Sequence, residues 1–365
     1  MLRQRCRDGA GLVERNQLMQ LVREIGDGAS VGGGFVAIGN FDGLHVGHAR
    51  IVQRLVESAA GEGVGAVVLT FDPHPIELLR PESAPPLLST IEDRALWLGE
   101  LGVDVLLALP TTRELLSLEA EEFFGQVVVE GLNARGLVEG PNFCFGRDRR
   151  GDTDVLRVLC QGAGIGLELV DPASCDGEVV SSSRVRAALA AGDVESAGEL
   201  LGRAYSVRGT VVAGEGRGRE LGVPTANLSR IPTLVPGDGV YAGAVEIAGS
   251  RHPAAVHVGG NPTFGEPDRK VEVHLLAFEG DLYGQELTVE FLVRVRGTEE
   301  FESVDRLREQ LAQDIEAVWR YVETCSGENG GESAGESAGE SAGKSGGHGA
   351  GDGLGTGEVG GLEVS

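Results

Sequence analysis

No run of about 20 apolar residues occurs anywhere in this 365-residue sequence, so nothing in it reads as a membrane-spanning helix. The opening residues carry several arginines but lack the apolar core of a secretory signal. Cysteine is scarce. Five are scattered along the chain, an odd number that excludes a full disulfide framework and fits free thiols in a reducing cytoplasm. Basic charge is also short. A net charge of -25 argues against a nucleic-acid polymer as partner, because neutralising a phosphate backbone needs a basic surface. Small phosphate ligands stay open, since a local cluster of donors outweighs a distant field. Aromatic residues are few and glycines many, 58 of them, yet the composition is otherwise that of a globular protein. The length suffices for two domains, each with its own core.

Phe35 to Glu57 is the most informative stretch, FVAIGNFDGLHVGHARIVQRLVE. Phe35, Val36, Ala37 and Ile38 form an uninterrupted apolar run that suits a strand buried on both faces of a parallel sheet. Gly39 to Gly43 turn the chain. From about His45 the apolar residues Ile51, Val52, Leu55, Val56 and Ala59 recur at helical spacing. Strand, tight turn and helix in that order point free N–H groups and a positive dipole end above the strand, which favours phosphate. His45 and His48 lie three apart and share a face. Gly47 removes a side chain where a nucleotide comes close. The pair also suits a metal, but no Cys/His cluster elsewhere supplies the missing ligands.

The string FDGLHVGH resembles the FDGxHxGH signature of the HxGH nucleotidylyltransferases. The resemblance implies that His45 and His48 stabilise the α-phosphate of a nucleotide during attack by another phosphate, a reaction that needs charge stabilisation more than proton transfer. It also implies ATP contacts at Gly39, Phe41, Asp42, Gly43 and Gly47.

Residues 1 to about 33 read as a lead-in without chemistry, with a short helix near Leu12 to Ile25. After the first helix, Val64 to Leu69 is a second buried strand, ending in Thr70, Phe71, Asp72, Pro73, His74, Pro75. Ligands of open parallel sheets bind at such carboxyl ends. This TFDPHP resembles the TFxPHP segment of flavin-specific HxGH enzymes, implying flavin contacts at His74 and Pro75. Thr90 and Asp93 form a capping box for a helix through Leu101. Val103 to Leu109 is a third strand, and Leu118 to Gly131 a helix with an acidic start. Alternating strands and helices predict a doubly wound α/β domain over 34–201.

Two further segments belong to this half. Pro141 to Arg147 (PNFCFGR) resembles a loop of bacterial FMN adenylyltransferase domains. The resemblance implies that Asn142 joins the catalytic group by holding phosphates or ribose, while Phe143 and Phe145 shape the flavin side. Cys144 has no base beside it to make it a nucleophile. Ser181 to Arg186 (SSSRVR) starts a helix whose serines cap free N–H groups. It resembles the ISSTxIR motif, implying phosphate binding by Ser182, Ser183 and Arg186, with the paired arginines as charge-assisted donors.

Near Gly202 the hydrophobic period changes from helical to alternating, with turn residues between short segments. This predicts an all-β antiparallel barrel over 202–325. Tyr205 to Val212 is its first strand. Gly214 to Gly222 (GEGRGRELG) is not a P-loop, because no lysine and no helix follow the glycines. With Val223 to Leu228 it forms GRELGVPTANL, which resembles the GRxLGxPTAN motif of riboflavin kinases. The similarity continues through Gly239 to Ala242, Pro262 to Phe264 and VEVHLLAFEGDLYG from Val271. It implies that Thr225 and Asn227 hold Mg²⁺ and the ATP phosphates. Gly214 and Arg219 are further implied ATP contacts, and Gly222 and Pro224 flavin contacts. Val271 and Val273 alternate with Glu272 and His274, so the latter pair faces away. Glu272 is implied as the base acting on the riboflavin 5′-hydroxyl. Val223, Ala277, Gly297 and Thr298 depart from the family pattern. Phe301 to Tyr321 has the apolar stripe of an amphipathic helix closing the barrel.

From about Ser326 the chain is Gly, Ser, Ala and Glu, with ESAG starting at Glu332, Glu336 and Glu340, a composition expected to be disordered. The whole pattern resembles the bacterial bifunctional riboflavin kinases/FAD synthetases. The expectation is a cytoplasmic enzyme, a monomer or weak homo-oligomer, using ATP and Mg²⁺ to turn riboflavin into FMN and FMN into FAD. Two alternatives remain: an HxGH transferase for another acceptor with an accessory barrel, and a flavin-binding regulatory module without catalysis.

Overall fold

The computed structural model describes residues 19–25, 32–261 and 266–327. The first part alternates strands and helices: β1 (Gln20–Val22), β2 (Phe35–Ile38), α1 (Val46–Glu62), β3 (Ala66–Asp72), α2 (Pro75–Leu79), α3 (Ile91–Glu100), β4 (Val105–Pro110), α4 (Arg113–Ser117), α5 (Ala120–Phe123), β5 (Gly136–Glu139), α6 (Thr153–Ala163) and β6 (Gly166–Leu169). The six strands pair in the order β1-β4-β3-β2-β5-β6, all parallel. Both faces are covered. Val36 and Ile38 pack on one side with Phe123, Phe124, Leu132 and Leu156, while Phe35 and Ala37 pack on the other with Val52 and Leu55. Alternation along each strand feeds two cores at once, which is why the strands read as continuous apolar runs.

The chain leaves β2 toward β3 and β4 on one side, and returns through β5 and β6 on the other. The topological switch therefore lies between β2 and β5, and their carboxyl ends form the crevice where such sheets bind ligands. Backbone pairing of these strands stops at Val36 and Leu137. Beyond it the buried carboxyl of Glu139 accepts from the Ile38 N–H at 2.7 Å. Burial pushes that carboxyl well above the ordinary range, against the hydrogen bond from Ile38 N–H, which favours the charged form.

Three local readings change. The lead-in helix near Leu12 to Ile25 lies partly outside the described residues, but Gln20–Val22 is a strand on the sheet edge beside β4. A free edge offers hydrogen bonds to any short apolar segment that reaches it, and periodicity over three residues cannot announce this. The helix over Leu118 to Gly131 is one α-turn, α5, continued as a π-helical stretch, Phe124–Gly131. His45 precedes α1 as its cap and lies outside the first turn.

A small hairpin, β7 (Ser174–Cys175) and β8 (Glu178–Val179), leads to α7 (Ser182–Ala191) and α8 (Val194–Leu201). The second part is a closed antiparallel barrel of β9 (Tyr205–Val212), β10 (Ala226–Ser229), β11 (Gly239–Ile247), β12 (Ser250–Asn261), β13 (Glu266–Leu275) and β14 (Glu286–Arg296), in the order β10-β13-β12-β11-β14-β9. A single helical turn, α9 (Arg217–Glu220), lies within the glycine loop, and the element that follows the loop is the strand β10. Val256, Val258, Val271 and Val273 point inward, and α10 (Val304–Gly327) follows the last strand. The inward set shares one core with Val185 and Leu189 of α7 and with Ala197, Leu200 and Leu201 of α8. Apolar packing thus runs across the change of period near Gly202. The described residues up to Glu323 form one compact unit. Pro262 to Phe264 and all of the glycine-serine tail beyond Gly327 lie outside the described residues. Among the described residues no helix is long and apolar enough to cross a membrane.

Candidate active sites

The first site stands where β2 gives way to α1. Phe41 (φ 48°), Gly43 (φ 77°) and Leu44 (φ 37°) all adopt left-handed backbone, which makes a sharp corner at the cost of strain in the two non-glycine residues. Asp42 anchors the corner: its buried carboxylate accepts from Leu88 N and Ser89 N at 3.0 Å. Arg186 pairs with it at 2.5 Å and Arg94 lies at 3.5 Å. Gly39 donates to Leu69 O, keeping the turn over the strand ends.

The corner delivers His45 as the cap of α1, with its Nδ1 accepting from His48 N at 3.2 Å. The imidazoles stack, 3.7 Å between centroids and 12° from parallel, and Phe41 lies 5.2 Å from His48. A Cβ on Gly47 would sit 3.1 Å from His45 Cε1. Burial lowers the His45 pKa to about 4, with Arg203 adding to the effect and Asp42 opposing it. Burial, His45 and Arg94 push His48 down as well. Both rings are therefore neutral at pH 7. With Nδ1 of His45 engaged as acceptor, its proton sits on Nε2. His48 Nδ1 and Asn40 Oδ1 are buried and find no hydrogen-bond partner in the protein, polar atoms left for a ligand or water.

Around this centre the sequence-selected residues divide. Ser182 Oγ donates to Asp42 O at 3.0 Å. Arg186 is drawn to Asp42 and to Pro86 O, whereas Arg184 spends its guanidinium on the carbonyls of Cys175, Glu178 and Val179. Ser183 is exposed and the capping serine is Ser181. His74 caps α2, where Pro75 is the first residue, and lies in the field of Asp42 and Arg186; burial lowers its pKa. Asn142 is exposed in the turn after β5. Phe143 stacks on Phe145 at 5.5 Å, and Phe145 itself is core, packed near Phe123. The structure thus joins His45, His48, Asp42, Ser182 and Arg186 directly, while Asn142 and Phe143 reach the same sheet edge from β5.

The second site lies outside the barrel. On the outer face Asn227 of β10 stands opposite Glu272 of β13, and Glu272 stands opposite His257 of β12. His257 Nδ1 is 3.5 Å from Glu272 Oε2. His274, two residues along, contacts Pro224 O at 2.7 Å through Nδ1. This face lines a cavity of about 390 Å³, bounded by Gly214, Arg219, Pro224 and Thr225 and roofed by Leu307, Leu311 and Ile315 of α10. Gly222 stands apart from the lining, at the left-handed turn after α9. A Cβ on Gly214 would collide with the Asn227 amide, so any side chain there displaces Asn227 from its present place. The roof is fastened by Asp314 of α10, buried, which accepts from Arg296 Nε at 2.9 Å and Nη2 at 2.8 Å.

Two family models match the chain. A family model described as FAD synthetase matches residues 29–184, and one described as riboflavin kinase matches residues 201–322. A Pseudomonas fluorescens bifunctional riboflavin kinase/FMN adenylyltransferase is 41% identical over 301 residues, covering 82% of this chain and 96% of its own. The chain belongs to the bifunctional riboflavin kinase/FMN adenylyltransferase family. The Bacillus subtilis protein of that name is 33% identical, over 78% of this chain and 92% of its own. A solved Streptococcus pneumoniae structure, described as a macrolide-efflux protein, superposes with a TM-score of 0.73 at 31% identity, over 82% of this chain and 98% of that one.

Within this bifunctional family member, sequence reasoning missed several residues that the fold brings to the sites. Arg94 and Ser89 hold the corner through Asn40 O and Asp42, joined by Thr70 from the TFDPHP segment, which donates to Asn40 O. His257 flanks Glu272, and Arg296 and Asp314 fix the roof. Each sits far along the chain from the motif it serves. The strand alternation Val256, His257, Val258 did carry the signal for His257, a polar residue in an apolar run facing outward with Glu272.

Proposed function

We propose that this chain makes FMN on the outer face of the barrel and FAD at the start of α1, as two separate reactions. It is a transferase with riboflavin kinase and FMN adenylyltransferase activities. In the second reaction an FMN phosphate oxygen attacks the α-phosphorus of ATP. A new P–O bond forms, the bond from that phosphorus to the bridging oxygen breaks, and pyrophosphate leaves with the electron pair. The neutral His45, with its proton on Nε2, and the adjoining His48 act as fixed donors to the α-phosphate oxygens as charge builds there. Ser182, Ser183, Arg186 and the N–H groups of the turn bind the remaining phosphates, with ATP competing against Asp42 for Arg186. His74, Pro75, Asn142 and Phe143 face the FMN, with Phe145 supporting Phe143 from the core.

In the kinase reaction Glu272 takes the proton of the riboflavin 5′-hydroxyl as that oxygen bonds the γ-phosphorus and ADP departs. The hydroxyl of Thr225, the amide oxygen of Asn227 and the nearby carboxylate are the hard oxygen donors that Mg²⁺ prefers. Thr225 and Asn227 would hold the ion, and its charge would neutralise the ATP phosphates. The observation that carries this half is the row Asn227, Glu272, His257 across three adjacent strands, facing the cavity. The proposed residues divide between 34–201 and 202–325. The assembly proposed is a monomer or weak homo-oligomer. Free thiols at Cys144, Cys160 and Cys175 support a cytoplasmic setting, and the acidic charge disfavours nucleic acid.

The test supplies riboflavin and ATP and follows FMN, FAD, ADP and pyrophosphate. His45→Ala should accumulate FMN while FAD formation falls by about 10² to 10³, the loss typical of one oriented donor. Glu272→Gln should lower FMN formation by about 10² or more while added FMN is still converted to FAD. Near-normal rates in both variants, or loss of both activities in each, would overturn the assignment.

A further inference from the structure

We infer that Arg203, in the stretch matched by the riboflavin kinase model, is a positioning residue for adenylyl transfer, holding the corner that presents His45. This rests on the reading of that corner as the FAD-forming site. Arg203 follows α8 and precedes β9. Its guanidinium nevertheless turns away from the barrel. Nη2 donates to Gly43 O at 2.6 Å and Nη1 to Leu44 O at 3.0 Å, with a further bond to Leu201 O at 3.3 Å. The Cζ lies 3.5 Å from the centroid of the Trp97 ring on α3. Burial lowers the Arg203 pKa to about 10, so the group remains charged at neutral pH.

The geometry explains why this grip matters. Leu44 C=O and His45 N–H share one peptide plane, so fixing the carbonyl fixes the plane from which the His45 side chain departs. The carbonyl of Gly43 belongs to the plane before it, whose N–H, that of Leu44, donates to Phe41 O at 3.0 Å. Three of the four residues Phe41 to Leu44 hold left-handed φ values, two of them without the freedom of glycine. Such a corner persists only when its surroundings over-determine it. Asp42 and Ser89 hold one side, where Gly43 N donates to Ser89 Oγ at 2.8 Å. Arg203 holds the other. A planar fork spanning two successive carbonyls while stacked on an indole is a task that lysine, a flexible point charge, performs poorly.

Arg203 also acts on His45 through charge, opposing protonation while Asp42 favours it; His48 feels His45 and Arg94. Protonation of His45 at Nδ1 would remove the acceptor of the His48 N–H and loosen the cap. The cation therefore protects the neutral, Nε2-protonated ring that the reaction uses.

The full-length chain carries its own control, since riboflavin phosphorylation reports on folding. Arg203→Met and Arg203→Lys are compared with His45→Ala for FAD formation from FMN and ATP between pH 5 and 9. The expected result is a kcat for FAD lowered about tenfold or more in Arg203→Met, with KM for ATP changed much less and FMN formation retained. Its acid limb should move to higher pH, and Arg203→Lys should restore the pH profile more fully than the rate. Unchanged FAD kinetics in Arg203→Met beside a defective His45→Ala would overturn the role of Arg203 alone. Unchanged kinetics in His45→Ala would overturn the underlying site. Loss of both activities in both Arg203 variants would make Arg203 a folding residue and equally end the proposal.

Discussion

Gly47 lies against the ring of His45: a methyl group on its Cα would come within 3.1 Å of Cε1 and 3.2 Å of Nδ1. The glycine is inside α1, where alanine would ordinarily gain about 1 kcal/mol of helix stability. Here that gain requires the imidazole to move. Because Nδ1 caps His48 N and the ring stacks on His48, a shift of a few tenths of an ångström disturbs both donors. Gly47→Ala should melt at or above the temperature of the parent chain yet form FAD at least tenfold more slowly. Thermal unfolding and FAD synthesis, measured on the same preparation, check this; parent-like synthesis would contradict the tight fit.

The buried histidines give a pH dependence with a definite sign. His45 titrates near 4 when folded and near 6.5 when unfolded, so between those values the unfolded chain binds more protons. Stability should be complete above about 6.5 and fall as the pH drops toward 4, by up to about 1.4 kcal/mol per pH unit from this one group. Glu139, whose pKa burial raises, contributes in the opposite sense, losing stability as pH rises above its unfolded value. Urea unfolding of the parent and His45→Gln from pH 7 to pH 5 separates them. The variant should show the shallower decline, and parallel curves would count against a neutral buried His45.

Asp314 and Arg296 fasten α10 over the cavity on the barrel's outer face with two hydrogen bonds from one guanidinium, and Gln310 adds a third to the same carboxylate. Asp314→Ala strands a largely buried cation, a change that costs about 3–5 kcal/mol when a buried pair is broken. Riboflavin phosphorylation should weaken chiefly through a raised KM for riboflavin, while FMN is still converted to FAD. Unaltered kinase kinetics would show that the roof needs no such fastening.

A cut near Leu201 tests the packing that runs across the two architectures. The residues proposed for the two reactions lie on either side, so a fragment from Gly202 to Thr324 should make FMN and stop there. Yet Leu189, Ala197, Leu200 and Leu201 share a core with Tyr205, Val207 and Phe291. A fragment beginning at Ser182, which keeps α7 and α8, should therefore melt several degrees higher than one beginning at Gly202. Equal melting temperatures would mean that the shared core contributes little. The complementary piece ending at Leu201 lacks Arg203 and bares the same apolar face, so its FAD synthesis should fall below that of the full chain.

The two architectures were legible in the sequence, because period is local: buried parallel strands read as Phe35 to Ile38 and Val64 to Leu69 do, and barrel strands alternate as Val271 to His274 do. The sequence also identified the corner at FDGLH and the outward Glu272, since a glycine turn before a helix and a carboxylate within an alternating run are patterns of neighbouring residues. What surrounds them depends on contacts between distant parts of the chain. Arg94, Arg186 and Arg203 converge on the corner from 54, 146 and 163 positions after Asn40, and His257 meets Glu272 through strand register. Side-chain direction decided the rest. Arg184 and Arg186 are two residues apart in sequence but face different parts of the molecule around the helix, so one braces a hairpin and the other Asp42. Phe145 went to the core and Gln20–Val22 to a sheet edge because packing and unpaired strand groups elsewhere claimed them, and no window of sequence contains the other half of such a contact.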